Sequence, residues 1–155
     1  MQTWLEKGLD EYKKEHQNLV NEVLHFFGIS MILFSKLFLT LIHLSNYKLL
    51  IPFFFLLIML GRWRGFVVSV FLIALLFLGL YFSLSWKIAI GLFVCGWILL
   101  ILGHKIFENN NPAFTKGGLS VKGLVHACKS FLIATFWIGE VVGKNVVLYP
   151  LWKTK

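Results

Sequence analysis

Four long apolar runs, Phe26 to Leu44, Phe66 to Ser83, Lys87 to Gly103 and Leu124 to Val142, most constrain what this chain can fold into. Each approaches the ~20 residues that carry an α-helix across about 30 Å of hydrocarbon. Lipid offers no partner for backbone N–H and C=O groups, so such runs are satisfied as helices. With 58% hydrophobic and 14% charged residues among 155, the chain is too apolar for a soluble domain of this length. The expectation is an all-α, multi-pass transmembrane helical bundle forming a single integral membrane domain over residues 1–155. A fifth apolar run, Leu49 to Leu60, contains Pro52, ends in Gly61-Arg-Trp-Arg64 and is short for a crossing. The count is four firm spans plus one short span.

The ends and the charges refine this picture. Residues 3 to 15 set Trp4, Leu5, Leu9 and Tyr12 among Glu6, Lys7, Asp10, Glu11, Lys13 and Lys14, which predicts an N-terminal amphipathic helix suited to a membrane interface or to packing on loops. No basic stretch leads directly into an apolar core and cleavage site, so a removable signal peptide is not expected. The formal charge of +8 comes from residues lying mainly between apolar runs, among them Lys48, Arg62, Arg64, Lys87, Lys105, Lys116 and Lys122. That pattern fits membrane lipid headgroups and not nucleic acid. Cys95 and Cys128 lie within apolar runs without metal-type spacing and are expected to pack.

Polar residues concentrate in two blocks, His16-Gln-Asn18-Leu-Val-Asn21-Glu-Val-Leu-His25 and Gly103-His104-Lys-Ile-Phe-Glu108-Asn-Asn-Asn-Pro112-Ala113. Histidines beside membrane runs face a polar interior, a partner or a cavity. Asn21 and His25 are four apart and share one helical face. His16 precedes His25 by nine residues, two and a half turns, so the two converge only if the chain bends between Gln17 and Val20. His104 and Glu108 are also four apart and can present two ligands to one ion. Imidazole and carboxylate donors suit non-haem Fe(II) with open coordination positions, and zinc accepts the same set. Taken singly, each histidine also fits a buried ring bonded to a backbone carbonyl. His43 and His126 are read as structural. Glu140, a carboxylate deep in the last run, is expected to meet a lysine, a histidine or a metal.

No phosphate-binding loop, Gly-x-Ser-x-Gly, His-Glu-x-x-His or His-x-x-His-His box occurs, which removes hydrolase, nucleotide-driven and desaturase readings. If both histidine blocks build one site, they must lie on one side of the membrane. Leu49 to Leu60 must then cross as a thin or tilted span, for five crossing helices in all.

Three strings carry a family resemblance. They are His16-x-Asn18-x-x-Asn21-x-x-x-His25-x-x-Gly28, then Trp97 leading to Gly103-His104-x-x-Phe107-Glu108-x-x-x-Pro112-Ala113, then Phe136 and Glu140. Together they resemble the Mpo-type 2-hydroxy fatty acid dioxygenases, small multi-pass membrane proteins of fatty acid α-oxidation. Ser30, Leu100 and the Ala134-Thr-Phe136 segment depart from the family's usual proline, glutamine and proline. The resemblance implies an Fe(2+)-dependent enzyme that uses O2 to shorten a 2-hydroxy fatty acid by one carbon, as in breakdown of sphingoid long-chain bases. It implies a membrane location, the endoplasmic reticulum in a eukaryote or the inner membrane in a bacterium. His16, His25 and His104 would be iron ligands, and Glu108 a fourth ligand or a partner fixing an imidazole tautomer. Asn21 and Asn18 would orient ligands or substrate, Lys105 would either snorkel to lipid headgroups or pair with the substrate carboxylate, and Glu140 would lie in the surrounding shell. The competing reading is a non-catalytic membrane carrier or assembly protein whose histidines bind protons or a structural metal.

Overall fold

The computed structural model describes residues 3–44, 48, 50–107 and 121–144. Among them there are six α-helices and no strand: α1 (Trp4–Glu15), α2 (Leu19–Leu44), α3 (Leu50–Gly61), α4 (Trp63–Tyr81), α5 (Trp86–Leu102) and α6 (Val121–Val142). A π-helical turn, Gly103–Phe107, continues α5. The all-α expectation holds, and the amphipathic segment is the helix α1.

Among the described residues, three helical segments are long and apolar enough to cross a membrane: Leu19–Ile42, Trp63–Tyr81 and Trp86–Phe107. This corrects the expected four. The fourth run does form a helix, α6, which carries His126, Lys129 and Glu140, and it is not among the three. α3 is a 12-residue apolar helix whose rise of about 18 Å falls short of the hydrocarbon thickness.

Helix boundaries follow from local chemistry. Thr3 and Glu6 form a reciprocal capping box at the start of α1, with Thr3 N–H donating to Glu6 Oε2 (2.8 Å) and Glu6 N–H to Thr3 Oγ1 (3.3 Å). Lys13 and Lys14 occupy its last turn, where cations oppose the helix dipole. Asn18 starts α2 by accepting the backbone N–H groups of Val20 (2.9 Å) and Asn21 (3.3 Å) on Oδ1. Residues 16–18 are non-helical, so the bend required between His16 and His25 is present. α4 and α5 are joined by four residues that include Ser83 at φ 50°.

The chain divides into two compact units. The first comprises Met1–Ile32 and Leu92–Thr135, the second Leu33–Gly91 and Phe136–Lys155. In the first, Leu5, Leu9, Ile29, Ile32, Leu100 and Ile133 are buried, and Ile133 of α6 seats against Gly8 of α1. Gly28 of α2 and Gly96 of α5 meet backbone to backbone. A Cβ on Gly28 would stand 2.9 Å from the Gly96 carbonyl oxygen, and one on Gly96 2.7 Å from that of Gly28. This close crossing brings the first turns of α2 towards the end of α5. In the second unit, Phe34 and Phe38 stack at 5.3 Å and join Leu57, Val68, Leu72, Leu76, Phe136 and Ile138 in the core.

Cys95 and Cys128 are free and exposed, not packed as expected. Cys95 lies in the membrane-length segment Trp86–Phe107, where surrounding hydrocarbon would cover an apolar thiol as a core does.

Candidate metal centre

Three helix ends of the first unit supply one histidine each. His16 is the C-cap of α1, His25 lies two turns into α2, and His104 is the second residue of the π-helical turn. One ring nitrogen from each lies within 4.8 Å of those of the other two, and His16 and His25 are buried. The rings meet edge to face, with centroids 4.5 Å apart for His16 and His25, 4.5 Å for His25 and His104, and 5.2 Å for His16 and His104.

Hydrogen bonds settle which ring nitrogens face inward. His16 Nδ1 lies 2.8 Å from the Tyr12 carbonyl and His25 Nδ1 2.9 Å from the Asn21 carbonyl, each four residues back along the chain. A carbonyl only accepts, so both Nδ1 atoms carry the proton and donate it. In a neutral ring the Nε2 lone pair is then left for another partner. His16 Nε2 is buried without a hydrogen-bond partner, and His25 Nε2 faces His104 Nε2 at 3.0 Å.

These residues fit a metal. Metal–nitrogen bonds of about 2.0 to 2.1 Å set neighbouring ligand atoms roughly 3 Å apart, which is the His25–His104 separation. A buried nitrogen lone pair with no donor, as at His16 Nε2, is costly, and a cation shared with His25 and His104 removes that cost. Three imidazoles leave further coordination positions open, as both zinc and non-haem iron chemistry require.

The surrounding groups follow from the same turns. Asn21 is fully buried, and its side-chain oxygen lies against Gly103, where a Cβ would overlap it. A Cβ at Gly103 would also stand 3.2 Å from His25 Cε1, so glycine is what admits the Asn21 amide beside His25. The π-helical turn widens the helix at that point; such single-turn insertions occur often at functional sites.

Of the other residues singled out from sequence, Asn18 is the exposed cap of α2, and Lys105 is exposed on the π-helical turn. Glu108 lies outside the described residues, as do the side chains of His43 and His126. Glu140, in the second unit, meets Lys144 at 2.6 Å and Arg64 at 3.2 Å, in accord with the expected lysine partner. Sequence reasoning placed Tyr12 only in an amphipathic pattern, yet its ring stacks on His16 at 4.0 Å and 18° while its carbonyl holds the same imidazole. The four-residue spacing from Tyr12 to His16 was the available signal.

Fold and site together define an all-helical protein with membrane-length apolar helices and a histidine centre able to hold a metal. The chain belongs to the 2-hydroxy-palmitic acid dioxygenase Mpo1-like family, which it matches over residues 3–146. No curated protein and no solved structure matches it.

Proposed function

We propose that the protein is an Fe(II)-dependent dioxygenase of the membrane that shortens 2-hydroxy fatty acids by one carbon, in α-oxidation and sphingoid long-chain base breakdown. The observation that carries this reading is the convergence of three imidazoles, two of which, His16 and His25, are already fixed through Nδ1. Membership of the family supplies the reaction class.

When bound, Fe(II) supplies open coordination positions for O2 and for the hydroxyl and carboxylate of a 2-hydroxy acid. His16, His25 and His104 hold it through Nε2, while the Tyr12 and Asn21 carbonyls keep two of those rings in the ligating tautomer. Glu108 serves as a fourth ligand or as a hydrogen-bond partner of an imidazole. The Asn21 amide, buried beside His25, orients the substrate's polar end, and Asn18 sustains that orientation by capping the turn that carries Asn21. Lys105 draws the substrate carboxylate to the centre, and the alkyl tail runs along the apolar helices. Converting R–CH(OH)–COOH and O2 into R–COOH, CO2 and H2O balances atoms and electrons without an external reductant.

The meeting of His25 with His104 also bears on topology. Both lie on one side if the chain between them makes an even number of passages. α2, α4 and α5 supply three, and α3 supplies the fourth along a thinned or tilted path.

Metal analysis of anaerobically purified protein, then O2 uptake and product mass with 2-hydroxypalmitate, tests the reading. Expected are iron near one per chain, a fifteen-carbon acid, and CO2 equal to O2 consumed. A folded, Fe(II)-reconstituted protein that takes up no O2 would overturn it in favour of the non-catalytic carrier.

A further inference from the structure

The second unit contains a charge cluster that the proposed reaction does not use. The Glu140 side chain, 4% exposed, accepts Arg64 Nε on one oxygen and Lys144 Nζ on the other. Two cations around one carboxylate leave a net charge of +1. Arg64 is four-fifths enclosed, its side chain 20% exposed, with Cζ 5.1 Å from the Trp63 ring. A guanidinium has five N–H donors. Here Nε alone is hydrogen-bonded, so the Nη fork makes no hydrogen bond among the described residues.

The local backbone shapes this fork into a site. Gly139 lies against the Arg64 carbonyl and Gly143 against the Trp63 ring, where a Cβ would stand 2.8 Å from Cζ3, so the last turns of α6 sit on the first turn of α4. Trp63 opens the apolar span Trp63–Tyr81, which places the cluster where hydrocarbon gives way to headgroups, the level at which tryptophan anchors helices. A planar fork with unspent donors, held in place by a carboxylate whose own oxygens are both engaged, suits bidentate contact with an oxyanion. At that depth the oxyanions on offer are lipid phosphates and fatty acid carboxylates. The surplus positive charge beside a tryptophan at the start of a span favours the former.

We propose that Arg64, Lys144 and Trp63 form a site for the phosphate of an anionic phospholipid, with Glu140 as the residue that positions Arg64. The proposal is independent of the metal reading, since none of its residues belongs to the histidine centre.

Native mass spectrometry of the purified full chain, offered phosphatidylglycerol or phosphatidylcholine of equal acyl length, tests it. Expected is one retained phosphatidylglycerol per chain at a preference of about tenfold, falling roughly fivefold in Arg64→Lys, which keeps the charge beside Glu140 and loses the fork. Lys144→Gln, usable if the first variant does not fold, is expected to lower retention about twofold. Lys87→Gln removes an equal charge beside Trp86 and is expected to leave retention unchanged. Equal retention of the two lipids, an undiminished Arg64→Lys, or an equal loss in Lys87→Gln would overturn the proposal. Displacement of the phospholipid by palmitate would overturn the phosphate assignment in favour of a carboxylate.

Discussion

The first unit gathers three imidazoles with protonated Nδ1 atoms tied to carbonyls on His16 and His25 and with Nε2 atoms converging, whereas the second gathers two cations around one carboxylate. Both are polar clusters in a chain that is 58% hydrophobic, where each unsatisfied group is expensive. They differ in what they lack. The buried His16 Nε2 has a lone pair and no hydrogen-bond partner, so a cation among the three rings would complete the cluster. The charged cluster is internally compensated at its carboxylate, so it fastens α6 to α4 and leaves only cationic donors over. A buried polar cluster is thus read by which half of its hydrogen bonds is missing, not by its residue types alone.

The largest effect that separates the two is loss of the metal. His25→Ala or His104→Ala removes one of the two nitrogens that face each other at 3.0 Å. Metal content is expected to drop from about one to below roughly a tenth per chain, with product formation abolished and helicity retained. Elemental analysis and circular dichroism on the same preparation check this. Normal metal content in both variants would leave the histidines as packing residues.

Breaking the charge cluster is expected to act on stability while sparing the metal. Glu140→Leu strands Arg64 and Lys144 and is expected to destabilise the protein by about 3 kcal/mol, the low end for breaking a buried pair because Lys144 is 56% exposed. Adding Arg64→Met should recover part of that loss, a coupling that a double-mutant cycle measures. Metal loss in Glu140→Leu at temperatures where the protein stays folded would show that the two clusters are not independent.

A smaller effect is expected at Gly103, where an added Cβ would overlap the Asn21 side chain. Gly103→Ala is expected to weaken metal affinity by about 10- to 100-fold, the range seen when groups supporting the ligands are disturbed. Gly91→Ala is the control: nothing lies within 4 Å of a Cβ there, and its effect should stay within about 0.5 kcal/mol. Competition with a chelator measures both.

These contrasts mark what could be read from residue order. The bend between His16 and His25 was legible because nine residues put the two on opposite faces of any straight helix, and Asn18 is a residue type that starts a new one. The helical class followed from apolar length alone. The span count did not: three segments, not four, are long and apolar enough among the described residues, and Lys129 and Glu140 of α6 meet Trp4 and Arg64, far from them in the chain. The pairing of Glu140 with Arg64 joins residues 76 apart, and no local pattern encodes it. The π-helical turn was equally hidden.

The finest test concerns Tyr12, whose ring covers one face of His16 at 4.0 Å while its carbonyl fixes the opposite end of the same imidazole's tautomer. The carbonyl survives any substitution, so side-chain variants isolate the stacking. Tyr12→Leu is expected to lose about 0.5 to 1.5 kcal/mol of aromatic contact, which is roughly two- to tenfold in metal affinity. Tyr12→Phe keeps the ring and should bind Co(II) with the affinity and visible absorption of the unmodified protein. If Tyr12→Phe instead weakens binding as much as Tyr12→Leu, the hydroxyl and not the stacked ring holds His16. If neither variant changes binding, His16 is held by its backbone hydrogen bond alone, and the centre depends on the bend at residues 16–18 more than on the helix that precedes it.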